Sequence, residues 1–476
     1  MCKSLFFTNN TDTAYYIQVD IYSLYFLCGS WKPAICSGEP AVRFSMRMPR
    51  QGREVCMIYL DNGATSFPKP GEMVDAMAEA MTGYCANPGR SGHSMAVKTA
   101  GEISKVRQEI SRLIGTEKPE RIIFTKNCTE SLNLALKGLL REGDHVITSS
   151  MEHNSMMRPL KSLERKGVRV SVVGCAADGN LDPEDIRRAL RPDTKLIAVT
   201  AASNVTGTKM PLEKIGRIAI RNGIVFLVDG AQGLGHMDID VKRQHIDVLA
   251  APGHKGLLGP QGTGLLYARE GLALKPLNEG GTGSHSRDMV QPLDFPDGYE
   301  AGTLNAPGII GLGASVRLLN KIGIKAVEAH EQKLTALLQQ ELYDISSYGD
   351  TRIDRKTGDC ADELVTGDAY GCGRQSSDPR HDAAVIFYGP EDPAGKVGIA
   401  AFNIRGIDCE EAAAILNDRY GIAVRAGFHC SGMAHDTIGT GSTGCIRVCP
   451  GVYNTERDIR MTAKAVREIA QQAAGC

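Results

Sequence analysis

No stretch of this sequence reaches about 18 uncharged apolar residues, so it predicts no membrane-spanning helix. The best candidate, AYYIQVDIYSLYFLCG at 14–29, is short and carries Asp20. It also lacks the basic leader and small-residue cleavage site of an export signal. No block of like charge occurs and the net charge is -1, so no global field favours nucleic acid or an anionic membrane. Long Pro/Gly/Ser linkers and internal repeats are missing too. The 14 cysteines include no CxxC pair and are scattered through a chain too long to need covalent staples. They read as mostly reduced thiols of a cytoplasmic protein. Cys445 and Cys449 stand four apart without obvious partners, so no metal site is expected.

What is present is ordinary globular composition, 42% hydrophobic and 23% charged over 476 residues, with room for more than one domain. Residues 1–56 hold the only tryptophan, Trp31, and show no clear period. They read as a poorly ordered extension from an upstream start, with MIYLDNGATSFPKP from Met57 as the proper beginning; 57–69 is assigned to pack with the small domain. From 70 to 315 the pattern alternates. RIIFT (121–125), HVITSS (145–150), VRVSVV (168–173), KLIAVT (195–200), IVFLVD (224–229), DVLAA (247–251) and GTGLLYA (262–268) are short β-rich runs. Helical patterns at 130–143, 183–192 and 211–223 lie between several of them. This predicts an α/β fold: a large domain built on a mainly parallel seven-stranded sheet covered on both faces. Residues 316–476 read as a smaller α+β domain, with a long helix at 323–344, a strand at 397–404 and helices at 410–419 and 455–472. Within it, 348–382 is polar, rich in Gly and Asp, and reads as an exposed insertion loop.

Ligands of open parallel sheets sit beyond the carboxyl ends of the strands, so the residues after each strand matter most. RIIFT leads through KNCTES into a helix, where Thr129 and free amide groups offer an anion site. A plain helix cap would use the same residues. His153 follows HVITSS, and Asn204 sits in a turn after KLIAVT. Asp229 ends an intensely apolar strand, which is costly unless something positive meets it, and Gln232 follows in a glycine-rich turn. His254 and Lys255 interrupt the apolar stretch DVLAAPGHKGLLGPQGTGLLYA, and lysine is among the residues least often buried. Each position is weak alone. Together they place an anion cradle, an imidazole, an amide, a buried acid and a lysine around one crevice. Pyridoxal 5'-phosphate satisfies all of them: the lysine forms the Schiff base, and the acid keeps the ring nitrogen protonated.

The motifs YLDNGAT, NPGRSGHSMA, TKNCTESLNLAL, MEHNS, SNVTG, VDGAQ, GHKGLLGPQGTGLLY, GGTGS, EAGTLNAPGI, VRAGFHC and YNT, in that order, resemble the class V aminotransferase-fold cysteine desulfurases and selenocysteine lyases. The resemblance runs from about residue 58 to the C-terminus apart from 348–382, and it implies the type I fold of pyridoxal-phosphate enzymes. It implies Lys255 as the Schiff-base lysine, His153 stacked on the ring, Asp229 on its nitrogen and Gln232 on its phenolic oxygen. Asn204 would lie near that oxygen and the substrate, and Cys128, Thr129 and His254 would hold the phosphate. A homodimer is implied, with Thr282 reaching the neighbour's phosphate site. Arg447 would grip the substrate carboxylate, a task for a fork of donors. Cys430 would receive sulfur from L-cysteine as a persulfide, and its spacing resembles the group II enzymes, which pass sulfur to a separate acceptor protein. Two positions depart from the family: Pro252 stands where a serine is frequent, and Cys128 where a small or hydroxyl residue is usual. Selenocysteine lyase remains open as an alternative, as does a sulfur carrier or scaffold of the same fold with weakened cofactor binding.

Overall fold

The computed structural model describes residues 57–88, 92–346 and 384–474. The expectations for 1–56 and 348–382 lie outside the described residues. The strands are β1 (Ile58–Tyr59), β2 (Ile122–Thr125), β3 (His145–Ser149), β4 (Arg169–Val173), β5 (Thr194–Thr200), β6 (Val225–Asp229), β7 (Val248–Pro252), β8 (Gly264–Ala268), β9 (Val385–Tyr388), β10 (Ala400–Ile404), β11 (Ile422–Ala423) and β12 (Ile446–Val448). The helices are α1 (Gly71–Gly83), α2 (Ser94–Leu113), α3 (Cys128–Leu139), α4 (Asn154–Glu164), α5 (Pro183–Arg188), α6 (Leu212–Arg221), α7 (Ala306–Ile322), α8 (Ile324–Ser346), α9 (Cys409–Tyr420), α10 (Gly432–Thr437) and α11 (Glu456–Ala474). None of the described helices is long and apolar enough to cross a membrane.

The seven apolar runs read from the sequence are all strands of one sheet, ordered β2-β8-β7-β6-β5-β3-β4. Strand β8 runs against both of its neighbours, β2 and β7, which makes those two parallel to each other and to the rest. The carboxyl ends of β2, β3, β5, β6 and β7 therefore emerge at one edge.

Side chains alternate along a strand, so each central strand feeds two cores. Ile197 and Val199 of β5, Phe226 and Val228 of β6, and Leu249 and Ala251 of β7 face one layer, covered by α2, α5, α6 and α7. Leu196, Ala198, Val225, Leu227, Val248 and Ala250 face the other, covered by α3 and α4. Burial on both faces makes these strands continuously apolar. Each large aliphatic or aromatic side chain sealed this way contributes about 1.5–3 kcal/mol.

The C-terminal part carries an antiparallel sheet ordered β12-β10-β9, packed around Leu334, Leu338, Phe402, Leu416 and Val466. Strand β1 pairs in parallel with β11, Ile58 opposite Ile422. The division expected at 315/316 falls inside α7. That helix continues to Ile322 on an apolar face and stops at Gly323, whose φ of 88° ends the helical run before α8.

Candidate active site

The alternation along β6 decides where its last residue points. Asp229 shares the parity of Val225 and Leu227, so it faces the α3 layer, and it is 2% exposed. Helix α3 begins at Cys128, with the Asn127 side chain capping it by accepting the Glu130 N–H at 2.9 Å. Its first side chain meets the carboxylate: Cys128 Sγ donates to Asp229 Oδ1 at 3.3 Å. Burial, with Asp229 beside it, pushes this thiol well above the usual range, so it stays protonated and remains a donor. The Ala231 N–H also donates to Oδ1 at 2.9 Å. Oδ2 takes no hydrogen bond from the described residues.

Beyond β3, His153 caps α4, its Nδ1 accepting the Ser155 N–H at 3.0 Å. The Ser155 hydroxyl lies 2.9 Å from the same nitrogen and 2.8 Å from Thr129 Oγ1. One polar chain thus joins the starts of α3 and α4. It leaves the imidazole proton on Nε2, and burial holds the pKa below its ordinary value.

The adjacent Glu152 is 1% exposed. Its Oε1 accepts from Ser149 Oγ at 2.5 Å and from the Thr200 N–H at 3.0 Å, while Oε2 is buried without a partner. Burial raises this carboxyl from its ordinary 4.5 to about 8. Between those values the folded chain keeps a proton that the unfolded chain has lost, so stability falls as pH rises through this window. Above the upper value both states are ionised and the slope vanishes. Glu152→Gln is expected to flatten this dependence. Urea midpoints measured from about pH 5 to about pH 8.5 should then favour the variant by several kcal/mol at the alkaline end, at roughly 1.4 kcal/mol per pH unit.

Strand β7 delivers His254 and Lys255 to the same edge. A β-carbon on the following Gly256 would lie 2.4 Å from the Leu234 carbonyl oxygen, so only glycine lets the chain turn there. The His254 carbonyl accepts from Thr65 Oγ1, Ser66 Oγ and Lys69 Nζ at 3.0–3.2 Å, tying the turn to the segment after β1. Burial, with Lys255 and Lys69 nearby, drives the His254 pKa down to about 4, and its Nδ1 is buried without a partner. Lys255 is half-buried and its amine has no hydrogen-bond or ion-pair partner among the described residues. Burial lowers its pKa, the Arg447 guanidinium adds to the effect, and Asp229 opposes it. The result favours a neutral, nucleophilic amine.

Asn204 links two further pieces. Its Nδ2 donates to the His429 carbonyl at 2.7 Å, and its Oδ1 accepts from Ser431 Oγ at 2.7 Å. These contacts clamp the residues on either side of Cys430. Both His429 and Cys430 have left-handed backbones, φ 49° and 57°, a conformation that costs about 1 kcal/mol or more per residue and survives only where neighbours enforce it. The Asn154 N–H holds the Cys430 carbonyl at 2.8 Å, while the cysteine itself is exposed. Arg447 on β12 donates through Nη1 to the Asn204 carbonyl at 2.8 Å and pairs through Nη2 with Asp61 at 2.9 Å. Its Nε is buried without a partner. A β-carbon on Gly63 would lie 2.8 Å from Cys449 Sγ and 3.3 Å from Arg447 Cζ, so this backbone approach also requires glycine. Gln232 Nε2 donates to the Gly63 carbonyl at 2.8 Å.

The sequence-predicted residues thus converge, with one exception. Thr282 donates to the Ser284 carbonyl and lines a cavity of about 280 Å³ with Arg107 and Glu300, a cavity that Lys255 does not line. The Cys128 side chain points to Asp229, so a phosphate role there falls to its backbone N–H at the start of α3. Sequence reasoning missed Asp61, Ser155 and Ser431. Asp61 and Ser155 lie inside the quoted motifs YLDNGAT and MEHNS and Ser431 directly follows VRAGFHC, and a polar residue next to a chemical one was the available signal.

The class-V aminotransferase family model matches residues 58–361 and 382–461. A probable cysteine desulfurase of Methanothermobacter thermautotrophicus is 36% identical over 419 residues, 87% of this chain and 94% of that protein. A cysteine desulfurase of Salmonella dublin is 30% identical over 431 residues, 88% of this chain and 95% of that one. The apo structure of a cysteine desulfurase from Thermococcus onnurineus matches with a TM-score of 0.75 and 32% identity, over 87% of this chain and 95% of that chain.

Proposed function

Because this chain belongs to the class-V aminotransferase family, we propose that it is a pyridoxal-phosphate-dependent cysteine desulfurase that converts L-cysteine to L-alanine. The observation that carries the reading is the meeting of Lys255, Asp229 and Arg447 at one sheet edge beside the clamped turn of Cys430.

The residues fit the cofactor. Lys255 offers a partnerless amine to an aldehyde. Asp229 Oδ1 is satisfied by Cys128 and Ala231, which leaves Oδ2 for a ring nitrogen. The start of α3 offers backbone donors to a phosphate, with Thr129 beside them. His153 and Gln232 complete the set, and the unpartnered His254 Nδ1 suits an anionic ligand. When bound, pyridoxal phosphate supplies an electron sink for the bonds at the substrate's α-carbon.

Arg447 holds the substrate carboxylate, Asn204 borders it, and Lys255 moves the proton at the α-carbon. Cys430 Sγ, as thiolate, attacks the substrate sulfur. A sulfur–sulfur bond forms as the carbon–sulfur bond breaks, and the carbon skeleton keeps that electron pair and gains a proton. The balance is cysteine plus enzyme thiol giving alanine plus enzyme persulfide. An acceptor protein then takes the terminal sulfur. The working unit is a homodimer in the cytoplasm, with Thr282 serving the neighbour's phosphate site.

The test is incubation of the holoenzyme with cysteine and a reductant. Equal yields of alanine and sulfide are expected, whereas pyruvate and ammonia would overturn the reading in favour of elimination. Arg447→Lys should raise KM for cysteine about 10–100-fold with kcat within about 3-fold, because an ammonium cannot make paired N–H bonds to a carboxylate. Steady-state kinetics checks this.

A further inference from the structure

Three buried ligand-type side chains meet behind the Cys430 turn. His429 precedes Cys430, His435 lies on α10 and Cys445 leads into β12, with 4%, 0% and 0% exposure. One nitrogen of each ring and the Cys445 sulfur lie within 4.8 Å of one another. His429 Nδ1 and His435 Nε2 are 3.3 Å apart. Two nitrogens each about 2.05 Å from a tetrahedral zinc ion are separated by about 3.3–3.4 Å, so the rings are already spaced for one ion.

The surroundings agree. His435 Nδ1 lies 2.7 Å from Thr440 Oγ1, a contact that holds the ring and, with the proton on Nδ1, turns the Nε2 lone pair toward the cluster. The nearby Arg447 carries its own counter-charge in Asp61, and the thiolate formed on binding offsets a further cationic charge. Cys409 Sγ is engaged with the Thr443 carbonyl at 3.1 Å and is not needed. The sequence gives no spacing signal for this group, because Cys445 finds its partners on the Cys430 turn and α10 rather than in Cys449.

We propose that His429, His435 and Cys445 form a zinc site with three protein ligands and a fourth position open to water or another small ligand. An imidazole–imidazole–thiolate set suits this borderline cation. The bound ion fastens α10 and the approach to β12 to the turn that carries Cys430.

The test uses the full-length holoenzyme, reduced and freed of metal, titrated with zinc in competition with a chromophoric chelator and with cobalt(II) alone as a spectroscopic probe. One equivalent of zinc and the visible ligand-field bands of tetrahedral cobalt are expected. Both should persist in Cys430→Ser, while Cys445→Ser should weaken zinc about 100-fold or more. His435→Gln serves as the second variant, and the metal-free melting curves of both check that they fold. Absence of stoichiometric zinc overturns the proposal. So does binding that survives Cys445→Ser, or binding lost in Cys430→Ser, which would mark the exposed catalytic thiol as the ligand.

Discussion

Lys255→Ala is expected to leave a folded protein whose cysteine turnover is lower by on the order of 10⁴-fold or more, since it removes both the attachment point and the proton carrier. The amine makes no hydrogen bond or ion pair among the described residues, so its removal breaks nothing structural. The neighbouring backbone is held independently: Gly256 packs on the Leu234 carbonyl, and the His254 carbonyl is gripped from the segment after β1. Losing a half-buried amine whose charged form is disfavoured by burial leaves stability unchanged or raised. Alanine production, the visible absorbance of covalently held pyridoxal phosphate and the melting temperature should be measured together. Loss of the first two with the third intact is the expected pattern. Turnover within about tenfold of the parent would remove Lys255 from the mechanism.

Cys430→Ala should abolish persulfide formation and lower sulfide release by on the order of 10³-fold or more, with cofactor absorbance retained. The separation follows from position. Cys430 lies on a turn clamped at the His429 carbonyl, the Ser431 hydroxyl and its own carbonyl, and its side chain makes no hydrogen bond to Lys255 or Asp229 among the described residues. Alanine at φ 57° keeps the strain already present, so the turn should hold its shape. Mass spectrometry after alkylation reads the persulfide directly. Full sulfur transfer by the alanine variant would sink the role given to Cys430.

Much of this site is legible in the sequence because charge and apolar strands conflict. Asp229 ends VFLVD and Lys255 interrupts two buried strands, and each demands an explanation where it stands. The sheet is legible for a related reason, since its central strands β5, β6 and β7 are buried on both faces and therefore almost uniformly apolar. Strands β9 and β12 escape because they are only 4 and 3 residues long. The run through α7 escapes because no helix-breaking residue follows its early glycines to mark an end until Gly323. Pairings over long separations are also invisible. Asn204 reaches Ser431 and Arg447 reaches Asp61 across hundreds of residues, and no local pattern encodes a partner so distant. The direction of the Cys128 thiol required knowing that β6 presents Asp229 to the α3 layer.

That presentation has a corollary for the tolerance of the chain to change. Deleting one residue between Val225 and Asp229 would swing the carboxylate to the opposite side of the sheet, into the oily space around Val228 and Ile197. No side-chain rotation brings it back through a wall of backbone. The chemistry of this enzyme is therefore keyed to an even count: β6 can exchange one apolar residue for another, but it cannot lose or gain a single step.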